Sequence, residues 1–509
     1  MSAAGESSRR SLRATGAPAE SAHWAVALVC FGLSGASALL FQTAWTQQLG
    51  LIFGASELAV ISVLAAFMAG LALGSHFGGR WASGVRRPLL AYGLVEAAIA
   101  GFALLLPMLL RGAAWAQRRF FTTEGFDLDA GLGALTTFHL AGAVLLLLPP
   151  TFLMGASLPL LVRSAVRRES ALGRRVGALY ASNTLGAALG ALLTGFVLLP
   201  RLGLGRAIYV GVGLNLAVAL LAVLASLKAR AETPPQTPQA PVPTVDPIPP
   251  SAPDDLDAAV LASAPGPRWP LAVAALTGGL ALSLELLWTR LLTFALGGSV
   301  YSFAAMLATF LLAIALGTAL ATRFARSAAQ AAQALSWFLL VAGIATPLAL
   351  AAADRLPRIL EALSDRADPL LLATLLGAAL MFPGALAFGA CFPMAVRAAA
   401  QDARTAAAST GAVLAANTAG AVVGVVATGL VLLPQLGFHG LSAVVSALAL
   451  GAALVLAVAL RPRERSTRIV AGAVVLAGGA LLLAPPATPW NLLRMSPTAC
   501  LCQIRKMPR

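Results

Sequence analysis

Residues 183–200 read NTLGAALGALLTGFVLLP, and residues 417–434 read NTAGAVVGVVATGLVLLP. In the longer windows around them, 177–203 and 411–437, 16 of 27 positions are identical. An earlier pair of windows, 35–74 and 278–317, is identical at 14 of 40 positions. Self-similarity at a nearly constant spacing indicates a duplicated structural unit. The chain is therefore predicted to consist of two copies of one unit.

The composition indicates an integral membrane protein. Of the 509 residues, 59% are hydrophobic and 11% are charged, and the mean hydropathy is +0.85. Soluble domains carry about 25% charged residues. The net charge of +15 comes from short basic clusters between apolar runs, which argues against nucleic-acid binding. A large soluble enzyme core is excluded.

The apolar runs predict an all-α polytopic membrane protein with thirteen membrane helices. The predicted helices span 24–41, 57–75, 88–110, 131–162, 177–199, 205–227, 269–287, 299–321, 333–353, 369–396, 409–433, 437–460 and 468–484. The first twelve form two sets of six. Since six is even, both sets enter the membrane in the same orientation, which predicts two parallel six-helix repeats. This arrangement resembles that of the two halves of major facilitator transporters.

The predicted domain organisation follows from these helices and from the polar segments between them. Residues 234–253 contain nine prolines, a composition typical of an extended spacer. In chain order, the predicted segments are a cytoplasmic N-terminal segment (1–23), membrane repeat 1 (24–227), a Pro-rich linker (228–268), membrane repeat 2 (269–460), a basic loop with an extra helix (461–484) and a tail that we interpret as truncated or frameshifted (485–509).

The positive residues predict the orientation of the chain. The N-terminus and the connections after even-numbered helices hold 22 of the 35 Lys and Arg residues, and the connections after odd-numbered helices hold nine. Short cytoplasmic loops carry the positive excess. We therefore predict a multi-pass membrane protein with its N-terminus in the cytoplasm.

Gln42 and Glu285 are the first candidate site residues. They are equivalent in the repeat, because each precedes a Trp-Thr pair by three residues. Polar and ionisable groups within membrane helices are candidates for function. One interpretation places this pair in a central cavity. The alternative is that Trp45 and Trp288 anchor the helices at the membrane surface and that Glu285 pairs with Arg290.

Three further candidates lie within predicted helices. Glu96 has no partner nearby in sequence, so it is predicted to be a protonated or hydrogen-bonded carboxyl group, or part of a proton relay. Asn183 and Asn417 lie in helices rich in glycine and alanine. An amide in that setting either bonds to a closely packed helix or lines a cavity.

The motifs of soluble catalysis are absent from the sequence. It contains no phosphate-binding glycine loop, no dinucleotide-binding motif and no metalloprotease motif. The four cysteines and four histidines show no metal-ligand spacing. We predict no catalytic residue, no cofactor and no metal.

Several segments carry a resemblance to a known family. They are GASALLFQTAW (35–45), LAAFMAGLALG (64–74), MGASLP (154–159) and YASNTLG (180–186). They resemble the membrane region of bacterial fused major-facilitator/spermidine-synthase-like proteins, in which a soluble aminopropyltransferase-like domain follows the membrane region. None of that domain's catalytic positions has a counterpart here.

The resemblance implies a protein of the bacterial inner membrane that is linked to polyamine metabolism. Its expected partners are the lipid bilayer and a separate aminopropyltransferase-like protein. The alternative is an autonomous major-facilitator-like transporter of a small solute, a polyamine or another organic cation.

Overall fold

The computed structural model describes residues 3–53, 57–121, 128–166, 171–231, 267–296, 300–324, 326–363, 369–400, 405–460, 465–483 and 487–493. Within these ranges every regular element is a helix. The central part of the predicted linker, 232–266, and the predicted tail beyond residue 493 lie outside them.

Six long helices form the first half. They are α1 (Ala3–Phe53), α2 (Glu57–Gly84), α3 (Pro88–Phe121), α4 (Leu128–Ala165), α5 (Leu172–Leu193) and α6 (Leu199–Ala231). Most extend beyond the apolar runs that predict them, because a helix continues into the polar residues that flank a membrane span. α1 begins well before residue 24 and therefore includes most of the predicted N-terminal segment.

The second half repeats this order with one short insertion. It comprises α7 (Trp269–Leu296), α8 (Val300–Ala321), α9 (Ala328–Ala353), the short α10 (Leu356–Leu363), α11 (Pro369–Ala399), α12 (Ala406–Ala427) and α13 (Leu433–Leu460). After it come α14 (Arg465–Leu483) and the single turn α15 (Trp490–Leu493). All thirteen predicted membrane helices are present, so the predicted all-α fold is confirmed.

The duplication extends to backbone irregularities. A π-helical turn at Thr194–Leu198 connects α5 to α6, and another at Thr428–Leu432 connects α12 to α13. Each is followed by a glycine in the left-handed region, Gly203 with φ 72° and Gly437 with φ 64°. Glycine adopts this conformation without the steric cost that a Cβ imposes. The chain reverses at these glycines.

The described residues include nine stretches that are long and apolar enough to cross a membrane. Two of them, Leu172–Lys228 and Ala406–Ala459, contain the reversals at Gly203 and Gly437, so each holds two helices. The protein is therefore a multi-pass membrane protein in contact with the lipid bilayer.

The two halves meet along two equivalent seams, α2 against α12 and α5 against α8. In the first seam, a Cβ added to Gly79 would lie 3.0 Å from the Cα of Gly411. In the second, a Cβ added to Gly177 would lie 2.7 Å from the Cγ2 of Thr322. Offsets of 243 and 234 make Gly79 equivalent to Thr322 and Gly177 equivalent to Gly411. The halves are therefore parallel and related by a pseudo-twofold axis, which is the arrangement of major facilitator transporters.

Both of these contacts lie at one end of the bundle, which we call the basic end because exposed Arg80, Arg86, Arg87 and Arg163 are found there. Further along α5, Tyr180 stacks on Phe392 of the second half with ring centroids 4.2 Å apart. At the opposite end, the ring centroid of Phe196, in the π-helical turn after α5, lies 5.4 Å from that of Tyr301 on α8. The α5–α8 seam therefore continues along the whole bundle.

α14 extends along the second half from the basic end to the opposite end. Near its start, the side chain of Gln333 on α9 donates a hydrogen bond to Ser466. Beyond its end, the backbone N–H and side-chain amide of Asn491 donate to the two carboxylate oxygens of Asp354, at 2.8 and 2.7 Å. Asp354 directly follows α9. Residues 487–493 therefore lie at the end opposite the basic end.

Candidate functional site

α1 and α7, the first helices of the two halves, lie between the seams. α1 packs mainly on α5 and α6, and α7 packs mainly on α12 and α11. One side of α1 nevertheless faces the other half, because Leu39 packs against a small cluster of Ala191, Leu307 and Ala308, together with Leu311. Residues three apart lie on the same side of a helix. Gln42 therefore lies on the same side of α1 as Leu39, the side next to this cluster.

Gln42 and Glu285 have the same local environment in the two halves. Each is half-buried, and each backbone carbonyl accepts a hydrogen bond from the threonine four residues later. The distances are 2.8 Å from Thr46 to Gln42 and 2.7 Å from Thr289 to Glu285. Such back-bonding occupies the threonine hydroxyl within its own helix. The structure places this pair at equivalent positions on the central helices.

The tryptophans beside this pair are core residues. Trp45 is 0% exposed and Trp288 is 1% exposed. Trp45 stacks on Phe41 with ring centroids 5.0 Å apart. An interfacial tryptophan has its ring at the headgroup level of the membrane. The interpretation of Trp45 and Trp288 as surface anchors is therefore wrong, because both rings pack inside their own halves.

Glu96 on α3 lies in a buried polar cluster within the first half. Its side chain is 0% exposed. The hydroxyl of Ser34 on α1 donates to Glu96 Oε1 at 2.7 Å, and that of Ser157 on α4 donates to the same oxygen at 3.4 Å. Tyr92, one turn before Glu96, donates to the backbone carbonyl of Cys30 at 3.2 Å. The carboxyl group thus joins three helices.

Asn183 and Asn417 bond to adjoining helices of their own halves. The amide of Asn183 donates to the carbonyl of Phe31 at 3.0 Å, and that of Asn417 donates to the carbonyl of Ala274 at 3.1 Å. Glycines lie directly beneath them. A Cβ on Gly35 would lie 2.1 Å from the carbonyl oxygen of Asn183, and a Cβ on Gly278 would lie 1.9 Å from that of Asn417. These are the contacts of the packing alternative.

The serine partners of Glu96 are not identifiable from the sequence. Ser34 and Ser157 lie 62 and 61 residues away from it. Nothing in the local pattern distinguishes them from other serines in apolar helices, since Ser37 and Ser75 bond only to carbonyls of their own helices. The tertiary packing of α1, α3 and α4 brings the three side chains together.

Comparisons with known proteins find similarity among solved structures. No family model matches the chain, and no curated protein matches it. Among solved structures, the chain is similar to the crystal structure of the human organic anion transporter MFSD10 (TETRAN), with a TM-score of 0.48 and 15% sequence identity. The match covers 86% of this chain and 99% of that chain. Neither a solute nor a partner of the present protein follows from this similarity.

Proposed function

We propose that the protein is a transporter that moves a small solute by rocking its two halves about the two seams. The observation that carries this proposal is the equivalent pair Gln42 and Glu285 on the two central helices of a twofold-related bundle. In transporters built from parallel repeats, the solute site lies at the interface between the repeats near mid-membrane. At the basic end the halves of this protein pack through small residues. Such a contact allows the two halves to move apart there as rigid bodies.

The pair favours an amine or another organic cation as the solute. Glu285 supplies a carboxylate oxygen, and Gln42 supplies an amide that donates and accepts. A carboxylate attracts ammonium groups through charge-assisted hydrogen bonds, which are stronger than those between neutral groups. Linear polyamines carry several such groups, so spermidine and putrescine are the first solutes to test.

The direct experiment is the flux of radiolabelled spermidine and putrescine into proteoliposomes of the purified full chain. We expect flux in the wild-type protein, its loss in Glu285→Gln and a weaker apparent affinity in Gln42→Ala. Glu361→Gln, at an exposed position on the short α10, is the control for the loss of an acidic group in the second half and should retain flux. Equal flux in Glu285→Gln and Glu361→Gln would remove Glu285 from the proposed site.

Rocking can be measured without knowing the solute. Spin labels at exposed Ser83 and Arg323 report the distance between the halves at the basic end, and labels at exposed Arg201 and Arg358 report it at the opposite end. We expect the two distance distributions to respond in opposite directions when a transported solute is added. A rigid protein would keep both distributions unchanged with every solute tested, and this would contradict the mechanism.

The link to polyamine synthesis stays a prediction, supported by the resemblance of the segments 35–45, 64–74, 154–159 and 180–186. On that hypothesis the membrane protein serves a separate aminopropyltransferase-like partner. Co-purification of such an enzyme from the native membrane would support it. An aminopropyl-transfer assay on the purified chain alone should show no product.

A further inference from the structure

Glu96 carries a buried oxygen that the described residues leave without a partner. Oε1 accepts from Ser34 and Ser157, whereas Oε2 has no hydrogen-bond partner among the described residues. An ionised carboxylate in a low-dielectric interior costs several kcal/mol unless it is paired. A proton bound at Oε2 makes the group neutral and removes this cost.

The helix segments around Glu96 contain no permanently positive side chain. The titratable groups that face Glu96 are Tyr92 on its own helix and Cys30 on α1. The stretches 141–162 of α4 and 210–222 of α6, which pack against α1 and α3, contain no ionisable side chain. Metal-binding groups of three or more His, Cys, Asp or Glu are also absent from the described part of the chain. With one carboxylate and two hydroxyls, the site suits a proton better than a metal ion, which needs more oxygen ligands.

The fold does not require a carboxyl group at this place. Offsets of 243 and 234 make Ser34 equivalent to Thr277 and Ser157 equivalent to Cys391. Both second-half side chains bond to carbonyls of their own helices, Thr277 to Ala274 at 3.1 Å and Cys391 to Ala387 at 3.3 Å. The buried positions of α3 recur in α9 with an offset of 247, which makes Gly343 equivalent to Glu96. The second half thus packs without an acidic group at the position equivalent to Glu96.

We propose that Glu96, with Ser34 and Ser157, forms a proton-binding site inside the first half, separate from the pair Gln42 and Glu285, and that its occupancy biases the rocking of the halves. The connection is α1, which carries both Ser34 and Gln42. Eight helical residues separate them, or about 12 Å along the axis. A change in the Ser34–Glu96 hydrogen bond therefore acts on the helix that faces the second half. The coupling part of this proposal rests on the proposed transport function.

The site itself is tested without solute, by infrared spectroscopy of the purified full chain across a pH series. We expect a protonated-carboxyl band that disappears reversibly as the pH rises and that is missing in Glu96→Gln. Glu285→Gln should keep this band. A Glu96-dependent band that stays constant wherever the protein remains folded would overturn the proposal, since the proton would then be a fixed part of the core. Replacement of choline by sodium at constant pH should leave the band unchanged, and its loss in sodium would identify a metal-ion site instead.

Two milder variants keep the test decisive if Glu96→Gln fails to fold. Ser34→Ala and Ser157→Ala retain the carboxyl group but remove its hydrogen-bond donors, so the band should move to higher frequency, further for Ser34 because its bond is shorter. An unmoved band in both variants would assign it to another group and contradict the site.

The coupling between Glu96 and the rocking of the halves is measured with spin labels at positions 83 and 323, which report the distance between the halves at the basic end. We expect the distance distribution to change with pH in the wild-type protein and to lose that dependence in Glu96→Gln. A titrating Glu96 with a pH-independent distance would overturn the coupling. Absence of spermidine and putrescine flux beside a titrating Glu96 would count against those solutes while leaving the proton site intact.

Discussion

Alanine at Gly186 or Gly420 should destabilise the protein by forcing two helices apart. A Cβ on Gly186 of α5 would lie 1.8 Å from the carbonyl oxygen of Gly32, and a Cβ on Gly420 of α12 would lie 1.8 Å from that of Ala275. Real Cβ contacts essentially never fall below 3.0 Å, so each helix pair must separate by roughly 1.2 Å. Overpacking of this kind costs about 1–3 kcal/mol.

The neighbouring asparagine adds to this cost. Asn183 lies one turn before Gly186 and donates to Phe31 at 3.0 Å, and Asn417 bears the same relation to Gly420. Separation of the helices lengthens these bonds beyond hydrogen-bonding distance, which costs about 0.6 kcal/mol in a membrane protein. The expected destabilisation is therefore about 1.5–3.5 kcal/mol for either variant.

The assay is the thermal unfolding of purified protein in one detergent, with a matched control from each half. Gly213→Ala and Gly451→Ala place a Cβ where no atom lies within 4 Å, so the melting temperature should stay the same or rise. Gly186→Ala and Gly420→Ala should both melt several degrees lower and by similar amounts. Melting temperatures equal to those of the controls would refute the close α1–α5 and α7–α12 packing. A loss in only one of the two would refute the equivalence of the halves.

Three further predictions concern separate contacts. Asn183→Ala and Asn417→Ala should each lower the free energy of unfolding by about 0.6 kcal/mol. The double variant should show the sum, because the two sites lie in different halves. Decreases in melting temperature that do not add would contradict this. Asp354→Ala removes both hydrogen bonds to Asn491, so chymotrypsin should cleave faster at exposed Trp490 while the fold is retained. An unchanged rate of cleavage would show that buried Leu492 alone holds the segment in place. Gly203→Ala and Gly437→Ala put a Cβ at a residue with positive φ and should each lower the free energy of unfolding by about 1–2 kcal/mol. The measurement is a lower melting temperature. An unchanged melting temperature would mean that the chain reversal tolerates another backbone conformation.

Local sequence patterns account for most of the fold. Apolar runs long enough to cross a bilayer satisfy their backbone groups only as helices, so composition and length alone predict each long helix. The recurrence of 177–203 in 411–437 predicts the duplication, and the structure adds that both copies share their irregular backbone at Gly203 and Gly437. Helix ends were predicted less well, because polar residues beyond the apolar run continue the helix and carry no hydropathy signal.

Local sequence patterns did not predict the contacts that the candidate residues make. The sequence shows Gln42, Glu96 and Glu285 as polar groups in apolar helices, but the side of the helix on which each lies depends on which helices surround it. A tryptophan at a membrane–water interface and a tryptophan in the core of a helix bundle have the same sequence context. The burial of Trp45 and Trp288 is therefore seen only in the packed structure.

The sequence alone predicts the membrane location and the two parallel six-helix repeats, because hydropathy and the internal repeat are properties of the order of residues along the chain. Three sets of contacts became visible in the folded protein alone: Ser34 and Ser157 with Glu96, Asn183 with Phe31, and Gly79 with Gly411 between the halves. These partners lie between 61 and 152 residues apart within the first half, and further apart across the halves. Their meeting depends on how whole helices pack, which no local preference encodes.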